Sequence, residues 1–109
     1  MLSACKGLER QSGKRPSQVF QEELPKKLHY RICVLSGPNL AQEVAAGKPA
    51  SAVVAAEAEE ITVQAQDIMT SHTFRVYTNT DILGVELAGA LKHIIVLGSG
   101  ISDGLGYGD

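Results

Sequence analysis

The stretch RICVLSGPNLAQEVAAGKPASAVVA, Arg31–Ala55, holds two β-rich runs around a short helical pattern. Arg31–Leu35 is an apolar run stopped by Ser36-Gly37-Pro38. Leu40, Ala41, Val44 and Ala45 then recur at helical spacing until Gly47 and Pro49 end them, and Ser51–Ala55 reads as a second strand. The same alternation extends in both directions. Upstream, Leu2–Cys5 has the look of a strand end halted by Lys6-Gly7, and Pro16 opens a helix carrying Val19, Phe20 and Leu24 that Pro25 closes. Downstream, Glu57–Met69 is helical with acidic residues in its first turn, and Thr73–Tyr77 is again a strand. The order β-α-β-α-β-α-β predicts an α/β sheet with substantial parallel pairing.

After Asn79 the pattern changes. From Thr80 to Leu97 apolar residues cover nearly the whole helical circumference, which predicts a helix buried on most sides, with Asp81 in its first turn. Seven of the 11 glycines fall between Gly84 and Gly108, so a domain boundary is expected near residue 80. The segment Gly98–Asp109 offers too little chain to bury that helix, and the sequence is expected to be cut off there.

The chain has 109 residues, 44% hydrophobic and 20% charged, with a net charge of −2. Such a length suits one small domain or a slice of a larger one, and the ordinary apolar content argues against disorder. The longest aliphatic stretch is Ile94–Leu97 and Met1–Lys6 is too short for a secretory signal, so a soluble cytoplasmic chain with no membrane span is expected. Cys5 and Cys33 lie in apolar stretches without a CxxC pair or a nearby histidine ligand, which predicts two buried free thiols and no metal. Residues 1–31 carry seven basic side chains against Glu9, Glu22 and Glu23. No aromatic residues interleave as a single-strand platform would require, so no nucleic-acid partner is expected, whereas a small phosphorylated ligand needs only one or two of these cations.

Three apparent phosphate loops fail on spacing. Gly7 and Gly13-Lys14 stand one residue too far apart and are followed by Arg15, Gly47-Lys48-Pro49 lacks both the earlier glycine and the hydroxyl, and Gly98-Ser99-Gly100-Ile101-Ser102-Asp103-Gly104 is GxGxxxG continuous with a helical segment. Lys92 is more informative. Its helical neighbours are Gly84, Val85, Ala88, Gly89, Ile95 and Val96, so a lone ammonium lies on an apolar stripe and projects over Ala88 and Gly89, where there is room for a ligand. Desolvation makes a lysine a better proton donor near neutral pH. A lysine snorkelling to the edge of a packed helix fits the same pattern. Lys6-Gly7, Ser36-Gly37-Pro38 and Asn79-Thr80 each follow a strand, and all three are expected at one sheet edge, where α/β sheets bind ligands. Each fits a plain strand-ending turn as well.

Taken together, Lys6-Gly7-Leu8-Glu9, Leu35-Ser36-Gly37-Pro38, Glu43–Pro49, Tyr77–Asp81, Gly84–Leu87, Gly89–Lys92 and Gly100–Gly106 make the chain resemble the bacterial-type NAD(P)-dependent glycerol-3-phosphate dehydrogenase family. The resemblance covers essentially the whole chain. It implies that residues 1–79 are the C-terminal part of a Rossmann-type dinucleotide-binding sheet and that 80–109 begin an all-α domain. It also implies an oxidoreductase acting between NAD(P)H and dihydroxyacetone phosphate to give sn-glycerol 3-phosphate for phospholipid synthesis. The implied cofactor is NAD or NADP, and a homodimer is one arrangement open to the full-length protein. By position, Lys92 matches the catalytic lysine, Lys6 the lysine touching substrate and cofactor, Gly37 and Asn39 substrate contacts, and Ala41 a cofactor contact. Asn39, Leu40 and His93 depart from the family's usual Ser or Thr, Phe and Asn, and Leu97-Gly98-Ser99 departs from a run of small residues. A related two-domain hydroxy-acid dehydrogenase and a non-catalytic remnant are the alternatives.

The GxGxxG turn that holds the cofactor pyrophosphate is absent from these 109 residues. The purified 109-residue chain is therefore expected to show no dehydrogenase turnover and no firm retention of NAD(P)H; measurable turnover would overturn that expectation.

Overall fold

The computed structural model describes residues 1–107. Four strands form one sheet in chain order: β1 (Leu2–Ser3), β2 (Cys33–Ser36), β3 (Ala50–Ala56) and β4 (Phe74–Asn79). The α-helices are α1 (Pro16–Glu23), α2 (Ala41–Ala45), α3 (Glu59–Met69) and α4 (Ile82–Gly104). A 3₁₀ stretch, Lys26–Arg31, follows Pro25 and has no counterpart in the apolar spacing.

Local chemistry sets the helix starts. Pro16 occupies the first turn of α1, where its missing N–H costs nothing, and the Gln18 side chain accepts from the Arg15 N–H at 3.0 Å. Asp81 is not within the first turn of α4 but caps it: its Oδ1 accepts from the Gly84 N–H at 2.8 Å. Asn79 Oδ1 in turn accepts from the Asp81 N–H at 2.8 Å, so the β4–α4 corner is held by two short side chains.

Strand directions differ from the sequence expectation. β1 and β2 are parallel, as are β3 and β4, but β2 and β3 are antiparallel, with Ser36 opposite Val53 and Cys33 opposite Ala56. A parallel crossover needs a connecting element that packs over the sheet. Here α2 is a five-residue helix with no buried residue, so the chain turns back beside β2 instead. The consequence reaches Asn79-Thr80. Asn79 pairs with Ala55, at the end of the sheet where β2 begins, so it lies at the edge opposite Lys6-Gly7 and Ser36-Gly37 and not beside them.

The pleat distributes side chains to two faces. Cys33, Val54, Ala56 and Val76 pack with Ala65 of α3, flanked by Leu2, Leu35, Ile61, Met69 and Phe74. Residues of the alternate set, Ser36 and Val53, line a cleft beside α4. Cys33 is buried in the core, but Cys5 is exposed because β1 ends at Ser3, two residues before it.

The longest helix also departs from expectation. α4 does not stop at Leu97 but runs through Gly98, Ser99 and Gly100 to Gly104, which removes any glycine-rich phosphate loop there. Nor is it buried on most sides: only Glu86 and Gly89 are buried, while Leu91, Ile94, Ile95, Leu97 and Ile101 are exposed, because it meets the sheet along one narrow stripe. On length and composition alone α4 is apolar enough to cross a membrane.

A Cβ on Gly98 would meet nothing within 4 Å. Gly98→Ala is therefore expected to stabilise the protein by about 0.5–1 kcal/mol, the ordinary gain from replacing a helical glycine. Thermal unfolding measures it, and a lowered Tm would speak against a continuous helix.

Candidate active site

The antiparallel turn between β2 and β3 decides where α4 can act. β4 delivers the chain to the far edge, and α4 returns across β2 and β3 toward the edge where β1 and β2 end. At about 1.5 Å per residue, the path from Ile82 to Lys92 is about 15 Å, enough to cross a short strand from end to end. Lys92 therefore arrives beside Lys6 and Gly37.

These residues share an open cleft of 380 Å³ lined by Lys6, Ser36, Gly37, Pro38, Val53, Val85, Ala88, Gly89, Lys92, Ile95 and Val96. Its walls are largely aliphatic, and two ammonium groups enter from separate elements. Lys6 stands after β1, where Gly7 turns the chain with φ +101°. Glu9 then closes the following turn by accepting from the Ser12 hydroxyl at 2.6 Å and from the Ser12 and Gln11 N–H groups at 2.7 and 3.1 Å. Those bonds, led by the Ser12 hydroxyl, pull its carboxyl down to about 2. The Lys6 Nζ donates to the Gly37 carbonyl at 2.6 Å, tying the ends of β1 and β2 together.

Two glycines make the close approaches. A Cβ on Gly37 would stand 2.5 Å from the Ser51 carbonyl oxygen and 2.9 Å from the Ala52 Cα, both backbone atoms that cannot step aside. A Cβ on Gly89 would stand 2.7 Å from Ser36 Oγ and 3.7 Å from Lys6 Cγ, so the missing side chain lets α4 come down onto the sheet. Of the other expected site residues, Asn39 is half-buried with its Nδ2 2.7 Å from that Gly37 Cβ position. Ala41 lines a separate groove along α2 with Leu40 and Lys48. Lys6, Gly37 and Lys92 thus converge, Asn39 adjoins Gly37, and Ala41 stands apart.

A second cluster escaped the sequence reading. The Glu86 side chain, only 3% exposed, forms an ion pair with Arg15 Nη1 at 2.7 Å. It also accepts from the Ser17 N–H at 2.8 Å and from the Ser17 hydroxyl at 2.6 Å. The signal was available: Glu86 is a lone carboxylate amid apolar residues, the same argument that singled out Lys92. Its partners, about 70 positions upstream, carry no such mark.

A larger groove of 650 Å³ runs between β1 and α3, and its cationic side chain, Arg31, lies over the Tyr30 ring at 5.2 Å. Among the described residues no three His, Cys, Asp or Glu side chains gather as metal ligands.

Electrostatics sets the cleft apart. Burial pushes the Lys6 ammonium below its ordinary value, and the charge of Lys92 adds to the shift. Two like charges against aliphatic walls are relieved by an anion.

Comparison with known proteins agrees over the whole chain. The family profile described as the NAD-dependent glycerol-3-phosphate dehydrogenase N-terminus matches residues 1–62, and that for the C-terminus of the same enzyme matches 81–109. Glycerol-3-phosphate dehydrogenase [NAD(P)+] from Clostridium tetani is 50% identical over 109 residues, and that from Dehalococcoides mccartyi 52%; each match covers 100% of this chain and 30% of the relative. Among solved structures, the glycerol-3-phosphate dehydrogenase of Coxiella burnetii superposes with a TM-score of 0.79 at 36% identity, covering 99% of this chain and 32% of that one. The Plasmodium falciparum enzyme gives 0.82 at 28% identity, covering 98% and 29%. The chain thus spans about a third of the relatives it matches. The hydroxy-acid dehydrogenase alternative is set aside by these matches.

A lysine whose value is lowered resists protonation in the fold. Its charge opposes stability below the folded value, and that cost disappears as pH rises through the ordinary value of 10.5. NMR titration of the Lys6 ε-ammonium is expected to give a midpoint below 10.5, and Lys92→Met to raise it without restoring 10.5, since burial is the larger cause. A midpoint unmoved by Lys92→Met would separate the two ammonium groups.

Proposed function

Because this chain belongs to the NAD-dependent glycerol-3-phosphate dehydrogenase family, we propose that it supplies one wall of the active site of an enzyme interconverting dihydroxyacetone phosphate and sn-glycerol 3-phosphate. The observation that carries the proposal is the convergence of Lys6 and Lys92 on one apolar cleft. A phosphorylated three-carbon substrate needs a cation for its phosphate and a proton donor for its carbonyl oxygen, and the cleft offers one ammonium for each task.

In this reading Lys92 gives a proton to the carbonyl oxygen as dihydroxyacetone phosphate is reduced and takes it back in the reverse direction. Lys6 and the backbone at Gly37 hold the substrate, with Asn39 adding a side-chain hydrogen bond. Val85, Ile95 and Val96 give both contacts an aliphatic flank along the cleft. The aliphatic walls and the close backbone at Gly37 fit the flat nicotinamide end of NAD or NADP, which supplies the hydride when bound. Among the described residues none forms a cradle for the pyrophosphate. Ala41 would meet only a ligand that extends along α2.

The division into a sheet domain, 1–79, and the start of a helical domain, 80–109, is part of the same proposal, supported by the two profile matches on either side of β4. Glu86 and Lys92 support α4 as a domain helix that does not span a membrane, since one is ion-paired to Arg15 and the other lines the cleft. The exposed apolar face of α4 then accepts further helices of that domain or a second copy in a homodimer. A cytoplasmic enzyme feeding phospholipid synthesis completes the reading; free Cys5 and Cys33 suit that reducing compartment.

In a full-length enzyme carrying this segment, Lys92→Ala is expected to lower kcat on the order of 100-fold or more, as loss of a general acid does, with NAD(P)H binding largely kept. Steady-state kinetics and cofactor titration test it, and near-normal turnover would remove Lys92 from the acid–base role.

A further inference from the structure

Glu86 and Gly89 are the only buried residues of α4 among those described, and Lys92 follows at the same three-residue interval. Gly89 permits the helix to approach Ser36 but, having no side chain, cannot fix its rotation or its height. Glu86 can. Its carboxylate receives three donors from two directions: Arg15 Nη1 at 2.7 Å, the Ser17 N–H at 2.8 Å and the Ser17 hydroxyl at 2.6 Å. Arg15 Nη1 also donates to the Ser17 hydroxyl at 3.2 Å, closing the network. Ser17 is itself buried in the first turn of α1, so the acceptor geometry is set by a structured element and not by a free loop. Burial of a carboxylate is costly, and the same helix could seat an apolar residue there. What the ion pair adds is a directed contact.

We infer that Glu86 is a positioning residue: its contacts with Arg15 and Ser17 set the rotation and height of α4, and so aim Lys92 at the reacting carbonyl. The inference rests on the proposed acid role of Lys92. About 9 Å of rigid helix separates the two residues, so a displacement at Glu86 is carried to Lys92. Misplacing a reacting group by about 1 Å costs on the order of 100-fold in rate.

The test uses a full-length dehydrogenase carrying this segment, with dihydroxyacetone phosphate and reduced nicotinamide cofactor as probes. Glu86→Gln and Arg15→Met are each expected to lower kcat on the order of 100-fold, with the cofactor dissociation constant within about two-fold of the parent's. Arg15→Lys, which keeps the charge, recovers part of the loss. The double variant is no worse than either single one, because both remove the same contact. A purely stabilising contact would instead lower Tm and leave kcat of the folded fraction unchanged. That result, or losses that simply multiply in the double variant, overturns the inference. Should Glu86→Gln fail to fold, Ser17→Ala removes one donor and leaves the ion pair. A fall in kcat of about ten-fold then supports the anchor, and kcat within about two-fold of the parent overturns it. Lys92→Ala is assayed alongside. If it keeps turnover, the acid role falls and the anchor with it; if it is inactive while folded Glu86→Gln is unimpaired, the anchor alone falls.

Discussion

One buried carboxylate joins the two ends of this chain. Glu86 belongs to the helix that carries Lys92, and Arg15 and Ser17 belong to the start of α1, which follows the turn after Lys6. Without that contact α4 has little to hold it: its remaining side chains are mostly exposed, and its meeting with the sheet is a narrow stripe closed by Gly89. Removing one partner of a buried ion pair costs about 3–5 kcal/mol, chiefly because the other charge is left without compensation. Every buried side-chain polar atom among the described residues has a partner, so the network is complete.

The second constraint is the reversal between β2 and β3. A sheet with only parallel pairs would have delivered the start of α4 to the edge holding Lys6 and Gly37, and Lys92 would have been carried away from it. With β3 and β4 running the other way, α4 begins at the far edge and ends its crossing at the near one. A helix then does what a loop after a strand does in other α/β sheets: it brings a charged side chain, Lys92, to the carboxyl ends of β1 and β2. Because a packed helix is rigid, that side chain is held more closely than one on a loop.

The cleft gains its character from chemistry that opposes itself. Lys6 and Lys92 repel, and burial penalises Lys6 further, yet Lys6 donates to the Gly37 carbonyl and stays in place. Charge of one sign held against aliphatic walls favours an anion over a cation or a neutral group.

The residues themselves determined much of this. Proline and glycine punctuation and apolar periodicity placed the four strands and the first three α-helices to within a few positions, because those signals act over one or two turns of chain; they ended α4 seven residues early and did not mark the 3₁₀ stretch Lys26–Arg31. The lone ammonium among small and apolar neighbours marked Lys92 for the same local reason, and the strand-ending turns marked Lys6 and Gly37. The direction of β3 was not legible, since it depends on whether α2 packs over the sheet, and that is a tertiary matter. Asn79-Thr80 consequently moved to the opposite edge, and Cys5 to the surface once β1 proved too short to cover it. Glu86 could be suspected as a lone buried charge, but its partners could not be found, because an ion pair spanning some 70 residues exists only after the chain has folded. Local spacing determined the elements and the candidate chemistry; the sheet's directions and one long-range ion pair decided which residues meet, because only packing brings distant charges within hydrogen-bond reach.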